Sequence, residues 1–261
     1  MVVTLGGNLL LYFLIVSTIS LLYLLIMEHK KREELEKKIR QLKESFTHKV
    51  DISDVDFEQF NTLPNTDIPP QIKKEFVSLC DYSRFATILD CELSAAYHLN
   101  CGIGFYCAGS LEEASLEFDE ALKIDSNYAN AWNNKAFTLA EISNYADALE
   151  NYCKALQLDP TLAQAWNGQG KALLQLGKYW DALEAFEKAT EIKTSMVDAW
   201  EGKGKACIKV GKYTEALEAF DKTLELKPDF AQAWYGKGLA HETLGSNEEA
   251  LAEYDKALKL E

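Results

Sequence analysis

The heptapeptide WEGKGKA, which begins at Trp200, contains the residue types of an anion-binding site. Its two glycines alternate with lysines just before an apolar run, and such a stretch at the start of a helix can bind a phosphate through backbone N–H groups. The P-loop spacing GxxxxGK[ST] does not occur anywhere in the sequence. The surrounding pattern therefore decides whether these glycines serve a ligand or the fold.

The chain repeats itself with a period of 34 residues. Trp132, Trp166, Trp200 and Trp234 are spaced by this period, and His98 stands one period upstream. A small residue follows each of these positions four residues later: Gly102, Ala136, Gly170, Gly204 and Gly238. Because this column accepts alanine, we interpret the small residues as packing notches inside a helix. No nucleotide site is predicted at this motif.

Two further columns predict a pair of helices in each period. The first helix is expected to stop at residues suited to a left-handed turn: Gly109, Ser143, Gly177, Gly211 and Gly245. The second helix has an apolar stripe with an aromatic residue at its centre: Phe118, Tyr152, Phe186, Phe220 and Tyr254.

This pattern resembles the tetratricopeptide repeat (TPR) family, whose 34-residue units share tryptophan, small-residue, aromatic, alanine and proline columns. The resemblance covers five units, at 95–128, 129–162, 163–196, 197–230 and 231–261. It implies an all-α fold, a right-handed α-solenoid of helix–turn–helix repeats with a concave inner face. No cluster of residues in the sequence has the spacing of a catalytic or metal site, so neither an enzyme nor a cofactor is predicted.

The resemblance also implies that the first helices line the concave groove, where residues beside the packing columns contact a partner. The predicted groove residues are Asn130, Asn133, Phe137, Gln164, Asn167, Lys171, Glu201, Lys205, Gln232 and Tyr235. Amide side chains can donate to and accept from the backbone of an extended peptide. Lys171 and Lys205 favour an acidic segment or a C-terminal carboxylate. The two-carboxylate clamp of the chaperone-binding members is not expected, since Leu99 and Ile103 replace its first-repeat residues.

Residues 1–27 are predicted to form a membrane anchor. The uncharged run 5–27 would span about 35 Å as a helix, and the hydrocarbon core of a bilayer is about 30 Å thick. A cleaved signal peptide is the alternative, but it would need a basic start and a shorter apolar run. Basic residues follow the run, so the N-terminus is expected outside and the repeats in the cytoplasm.

Three segments lie between this anchor and the repeats. Residues 28–50 hold eight Lys/Arg against five acidic residues and are predicted to form a basic helical stalk. An apolar seam in the stalk suits a short coiled coil: Leu35, Ile39, Leu42 and Phe46. A solvated helix beside anionic headgroups is the alternative. Residues 51–70 are predicted to be an acidic, proline-containing linker, and residues 71–94 a helical lead-in that caps the repeats.

The charge and the repeats together favour an interaction protein. The net charge of −14 argues against nucleic-acid binding, which needs a basic surface. The expected function is a membrane-anchored protein–protein interaction scaffold whose cytoplasmic groove binds a peptide segment of a partner. The alternative is a receptor or assembly factor that delivers client proteins to a membrane machine. Self-association through the stalk, or through exposed leucines of the last repeat (Leu251, Leu258, Leu260), is a further hypothesis.

Overall fold

The computed structural model describes residues 94–260, and this range is all helical apart from its turns. Its ten helices are α1 (Ala95–Cys107), α2 (Leu111–Ile124), α3 (Ala129–Glu141), α4 (Tyr145–Leu158), α5 (Ala163–Gln175), α6 (Tyr179–Ile192), α7 (Val197–Lys209), α8 (Tyr213–Leu226), α9 (Ala231–Thr243) and α10 (Asn247–Leu258). The odd-numbered helices begin 34 residues apart and are the first helices of five repeats, so the expected all-α solenoid is confirmed.

The predicted anchor, stalk, linker and most of the lead-in fall within residues 1–93, outside the described range. Across residues 94–260, no helix has the length and apolar character needed to cross a membrane.

A residue in the left-handed conformation ends every first helix. The glycines of the predicted stop column have φ between +73° and +83°, and Ser143 takes the same conformation with φ +63°. The next N–H then reaches back five residues, as in the bond from Lys178 to the Leu173 carbonyl at 3.0 Å. This is the Schellman arrangement, which satisfies carbonyls that the helix leaves unpaired.

The tryptophans tie each first helix to the turn that precedes it. In four repeats the indole Nε1 donates a hydrogen bond of 2.8–3.1 Å to a main-chain carbonyl six residues earlier: Trp132 to Ser126, Trp166 to Pro160, Trp200 to Thr194 and Trp234 to Pro228. In the first repeat His98 takes the tryptophan position, and its Nδ1 lies 2.7 Å from the Glu117 carboxylate instead.

The glycines of the WEGKGKA motif pack against aromatic rings. Gly202 contacts the ring of Phe186, from the preceding repeat, and a Cβ on Gly204 would lie 2.6 Å from the ring of Phe220. Gly170 packs against the same ring of Phe186, and a Cβ on it would lie 2.9 Å from that ring. Both motif glycines lie inside α7, where the backbone N–H groups serve the helix. The interpretation of the small-residue column as packing notches is therefore confirmed.

The first helices form the inner layer of the stack. Each of α1, α3, α5 and α7 contacts the next first helix, whereas the second helices of the described range make their main contacts with first helices. Successive first helices are therefore closer together than successive second helices. The stack curves toward the first helices, which places them on the concave side.

Ion pairs also join the second helix of one repeat to the first helix of the next. Three of the four interfaces contain such a pair at equivalent positions: Lys135–Asp119 (2.6 Å), Lys203–Glu187 (3.4 Å) and Lys237–Asp221 (2.6 Å). In the remaining interface Gln169 donates to the Cys153 sulfur at 3.3 Å. Lys203, which alternates with the motif glycines, is thus part of an interface between repeats.

Candidate functional site

A cavity of about 480 Å³ opens on the inner layer of the stack. Its lining comes mainly from the first helices of four successive repeats, α3, α5, α7 and α9. Five of the ten predicted groove residues line it: Phe137, Lys171, Glu201, Lys205 and Gln232. The volume lies in the range of about 300–1,000 Å³ that is typical of ligand sites.

The predicted residue Tyr235 lies further along the inner layer, toward the end of the chain. It lines two other cavities, of about 580 and 530 Å³, both shared with Gln232 and Leu239. The remaining predicted residues on the helix N-terminal side, Asn130 and Gln164, are half-buried and line none of these three cavities.

Two of the predicted groove amides lie beneath the surface. Asn133 is fully buried and Asn167 nearly so. The Nδ2 of Asn133 donates to Asn134 Oδ1 at 3.1 Å, while the Oδ1 atoms of Asn133 and Asn167 have no hydrogen-bond partner. The 34-residue period gives the angular position of a residue on its helix, but not how deeply neighbouring helices cover it. Both amides are therefore covered by neighbouring helices in this structure, and their contact with a peptide stays a prediction.

Both predicted groove lysines are paired with carboxylates that line the same cavity. Lys171 Nζ lies 2.8 Å from Asp198 Oδ2, which joins α5 to α7, and Lys205 pairs with Glu201 one turn earlier in α7. The Lys171–Asp198 pair is exposed on both sides, and such pairs stabilise a fold by only about 0–1 kcal/mol. In the second pair Lys205 is exposed, whereas Glu201 is buried. Each lysine therefore already has a carboxylate partner, which weakens the argument for an acidic segment.

Glu141 is a carboxylate of the cavity that makes no ion pair within residues 94–260. It is exposed and is the last residue of α3, where the helix dipole adds further negative partial charge. The cavity is thus lined by two lysines and three carboxylates. The sequence patterns missed Glu141 because it stands outside the columns that define the repeat.

A buried tyrosine contributes to the lining of the cavity. Tyr152 is 1% exposed, lines the cavity, and packs against Gly168 of the next repeat. Its hydroxyl has no hydrogen-bond partner. The following two repeats have Phe186 and Phe220 in this column, so the packing does not require a hydroxyl. Sequence reasoning treated Tyr152 as a packing residue, although the signal was a tyrosine where the next repeats have phenylalanine.

The negative charge of Glu141 affects the pKa of this hydroxyl. Burial, and after it the Glu141 carboxylate, raises the pKa of Tyr152 above its ordinary value. Tyr152 therefore keeps its proton throughout the physiological range and can both donate and accept a hydrogen bond.

Comparisons with known proteins agree with the repeat pattern. Two tetratricopeptide repeat models match residues 127–195 and 201–260. A crystal structure of MamA is 30% identical with a TM-score of 0.57, over 61% of this chain and 93% of that one. Residues 41 to the end of MamA from Desulfovibrio magneticus RS-1 are 22% identical, with a TM-score of 0.59 over 64% of this chain and 94% of that one.

A further solved structure shares the fold at low identity. YrrB, described as a TPR protein with an unusual peptide-binding site, is 23% identical with a TM-score of 0.58, over 72% of this chain and 93% of that one. A search of curated proteins finds no match.

Proposed function

Because this chain belongs to the tetratricopeptide repeat family, we propose that it is a protein–protein interaction scaffold whose groove binds an extended segment of a partner protein. The observation that supports this most is the cavity shared by the first helices of four repeats. Packed helices lie about 8–10 Å apart, so four of them extend over about 25–30 Å. A segment of about eight or nine extended residues, at about 3.3 Å each, has this length.

The groove lining suits a peptide. An extended backbone carries N–H and C=O groups that need partners when they leave water, and the exposed amide of Gln232 can serve either kind. Phe137 and Phe230 offer half-buried aromatic surface to side chains of the segment.

Site-directed photocrosslinking tests this proposal. A benzophenone amino acid placed at Gln175 or Gln232, both exposed in the cavity lining, should trap a partner in native extracts. The same amino acid at Glu218, exposed on the second helix α8, should not. Crosslinks from Glu218 without crosslinks from the groove positions would contradict the proposal. One stoichiometric product indicates a scaffold, whereas many weak products favour the delivery of clients.

The membrane anchor is proposed from sequence. The uncharged run 5–27, followed directly by basic residues, supports a single span with the repeats on the cytoplasmic side. In isolated membrane vesicles, the full chain should resist alkaline extraction, and an N-terminal tag should be on the face opposite the repeats. Release of the intact chain by alkaline carbonate would refute the anchor and leave the groove proposal unaffected.

A further inference from the structure

We infer that the segment bound in the groove inserts a lysine or arginine side chain, which pairs with Glu141 near the hydroxyl of Tyr152. This inference rests on the proposed function and specifies the charge of the partner. It reverses the acidic partner expected from the sequence, because the contacts in the cavity change which charges are available.

The available charge in the cavity is negative. Lys171 and Lys205 are occupied by Asp198 and Glu201, while Glu141 has no cation within the described range. An acidic segment would have to displace carboxylates from both lysines and also approach Glu141, so like-charge repulsion opposes it. A basic segment meets an unpaired carboxylate and leaves both existing pairs intact.

The net charge of the whole repeat region also favours a basic segment. Residues 95–261 hold 16 lysines and no arginine against 27 acidic residues. A surface with this excess attracts basic segments from solution and speeds their encounter with the groove. This long-range attraction does not depend on the order of residues in the segment. Glu141 supplies the local partner that fixes the position of one basic residue.

The fold does not require a carboxylate at position 141. Gln175 occupies the same place at the end of α5, one repeat later. Phe137, one turn before Glu141, and Tyr145, at the start of α4, line the same cavity beside it. A cation near Glu141 can therefore also contact aromatic faces, which attract lysine and arginine.

Tyr152 is a second feature of the cavity lining that suits a polar ligand. Its side chain is more than nine-tenths buried, its hydroxyl has no partner, and the residue lines the cavity. A buried hydroxyl without a partner costs free energy, and native proteins rarely keep one without a role. The hydroxyl is covered and lies against Gly168 in this structure, so a polar group of the inserted side chain can supply the missing hydrogen bond only when the lining shifts on binding.

Selection from a phage-displayed library of random 12-residue peptides, with the full chain in detergent as target, tests the inference. The recovered peptides should share lysine or arginine at one position. For a synthetic peptide from this pool, Glu141→Gln should weaken binding about tenfold or more, and Tyr152→Phe about fivefold. Glu218→Gln, on the second-helix side, is the matched control and should leave the Kd unchanged. Replacing the shared basic residue of the peptide by norleucine should weaken binding to the wild-type protein to the same degree.

The thermal midpoint of Tyr152→Phe separates binding from folding. The next two repeats have phenylalanine in this column, so the variant should be as stable as wild type or more stable. A loss of peptide affinity without a loss of stability then assigns the hydroxyl to the ligand.

The outcomes distinguish the inference from the proposed function. Gln232→Trp fills the groove and should abolish binding of every groove peptide. Peptides that lose binding to Gln232→Trp can instead have an acidic residue in common, or bind Glu141→Gln as well as wild type. Either result would overturn the inference and leave the groove as a peptide site. If no peptide is recovered, or if all recovered peptides bind Gln232→Trp as well as wild type, the proposed function itself fails, and the inference with it.

Discussion

The ring of Phe186 is in contact with Gly202, although the two residues belong to different repeats. Phe186 lies in α6 and is fully buried, and Gly202 lies in α7, the first helix of the next unit. The same ring packs against Gly170 of its own repeat. The missing side chains on the two glycines give the ring its space, so its burial depends on both repeats at once.

Gly202→Ala should destabilise the protein by up to about 2 kcal/mol. Alanine favours a helix over glycine by about 1 kcal/mol, but the added methyl group collides with a ring in a filled core, which costs about 1–3 kcal/mol. Urea unfolding followed by circular dichroism measures the change. In a Phe186→Leu background the smaller side chain makes room, and the cost of Gly202→Ala should fall by at least about 0.5 kcal/mol. Equal costs in both backgrounds would show that the ring is not the obstacle.

Ser143→Gly should stabilise the protein by about 0.5–1 kcal/mol. Ser143 has φ +63°, where an L-residue with a Cβ is disfavoured by about 1–2 kcal/mol, and glycine's larger entropy loss offsets part of the gain. Gly177→Ser, at the same place one repeat later, is the reverse change and should destabilise by a similar amount. The thermal midpoints of the two variants should therefore move in opposite directions. Shifts of the same sign would contradict the role of the left-handed turn.

Lys237→Met should destabilise the protein by about 2 kcal/mol or more. Lys237 Nζ lies 2.6 Å from Asp221 and 3.2 Å from Glu253, and the buried Glu253 already has one oxygen without a partner. Removal of the lysine leaves this carboxylate without its cation, which is the costly part. The preceding repeat has Ala219 at the position of Glu253. In a Glu253→Ala background, Lys237→Met should therefore cost less than about 1 kcal/mol in urea unfolding. A cost that stays the same would show that Glu253 does not depend on the lysine.

Cys153 should react with iodoacetamide at least about tenfold faster than Cys207 in the native protein at pH 8. Burial, and to a smaller degree nearby Glu215, raises the pKa of the Cys207 thiol to about 11, so very little thiolate is present and the sulfur is covered. Cys153 is an exposed free thiol. Mass spectrometry of the alkylated peptides gives both rates, and the difference should disappear in urea. Equal rates in the native protein would mean that α7 opens readily around Cys207.

The features that the sequence predicted correctly depend on local geometry. A left-handed turn at Gly177 and a notch at Gly204 are required by the backbone and by one neighbouring ring, and every repeat has the same requirement. The same turn and notch positions therefore recur in five repeats, which makes them recognisable in the sequence. The starts of the first helices follow from the same repetition.

The properties of the candidate site depend instead on contacts between repeats. Lys171 meets Asp198 across 27 residues of sequence, and no column predicts which side chains of adjacent helices will pair. The burial of Asn133 similarly depends on how closely the helices around it pack. Glu141 stands at a position that varies between repeats, and the column of Tyr152 holds either phenylalanine or tyrosine. A search for what the repeats share therefore passes over both.

The shared rings have a consequence for how such a chain can change its length. A duplicated 34-residue unit would bring one ring and the small residues that receive two rings, its own and that of the unit before it. Such a unit can be inserted between existing repeats without redesign of the core on either side. What an insertion does change is the spacing between Glu141 and the groups further along the inner layer, so recognition in these proteins can be altered by duplication while the core stays the same.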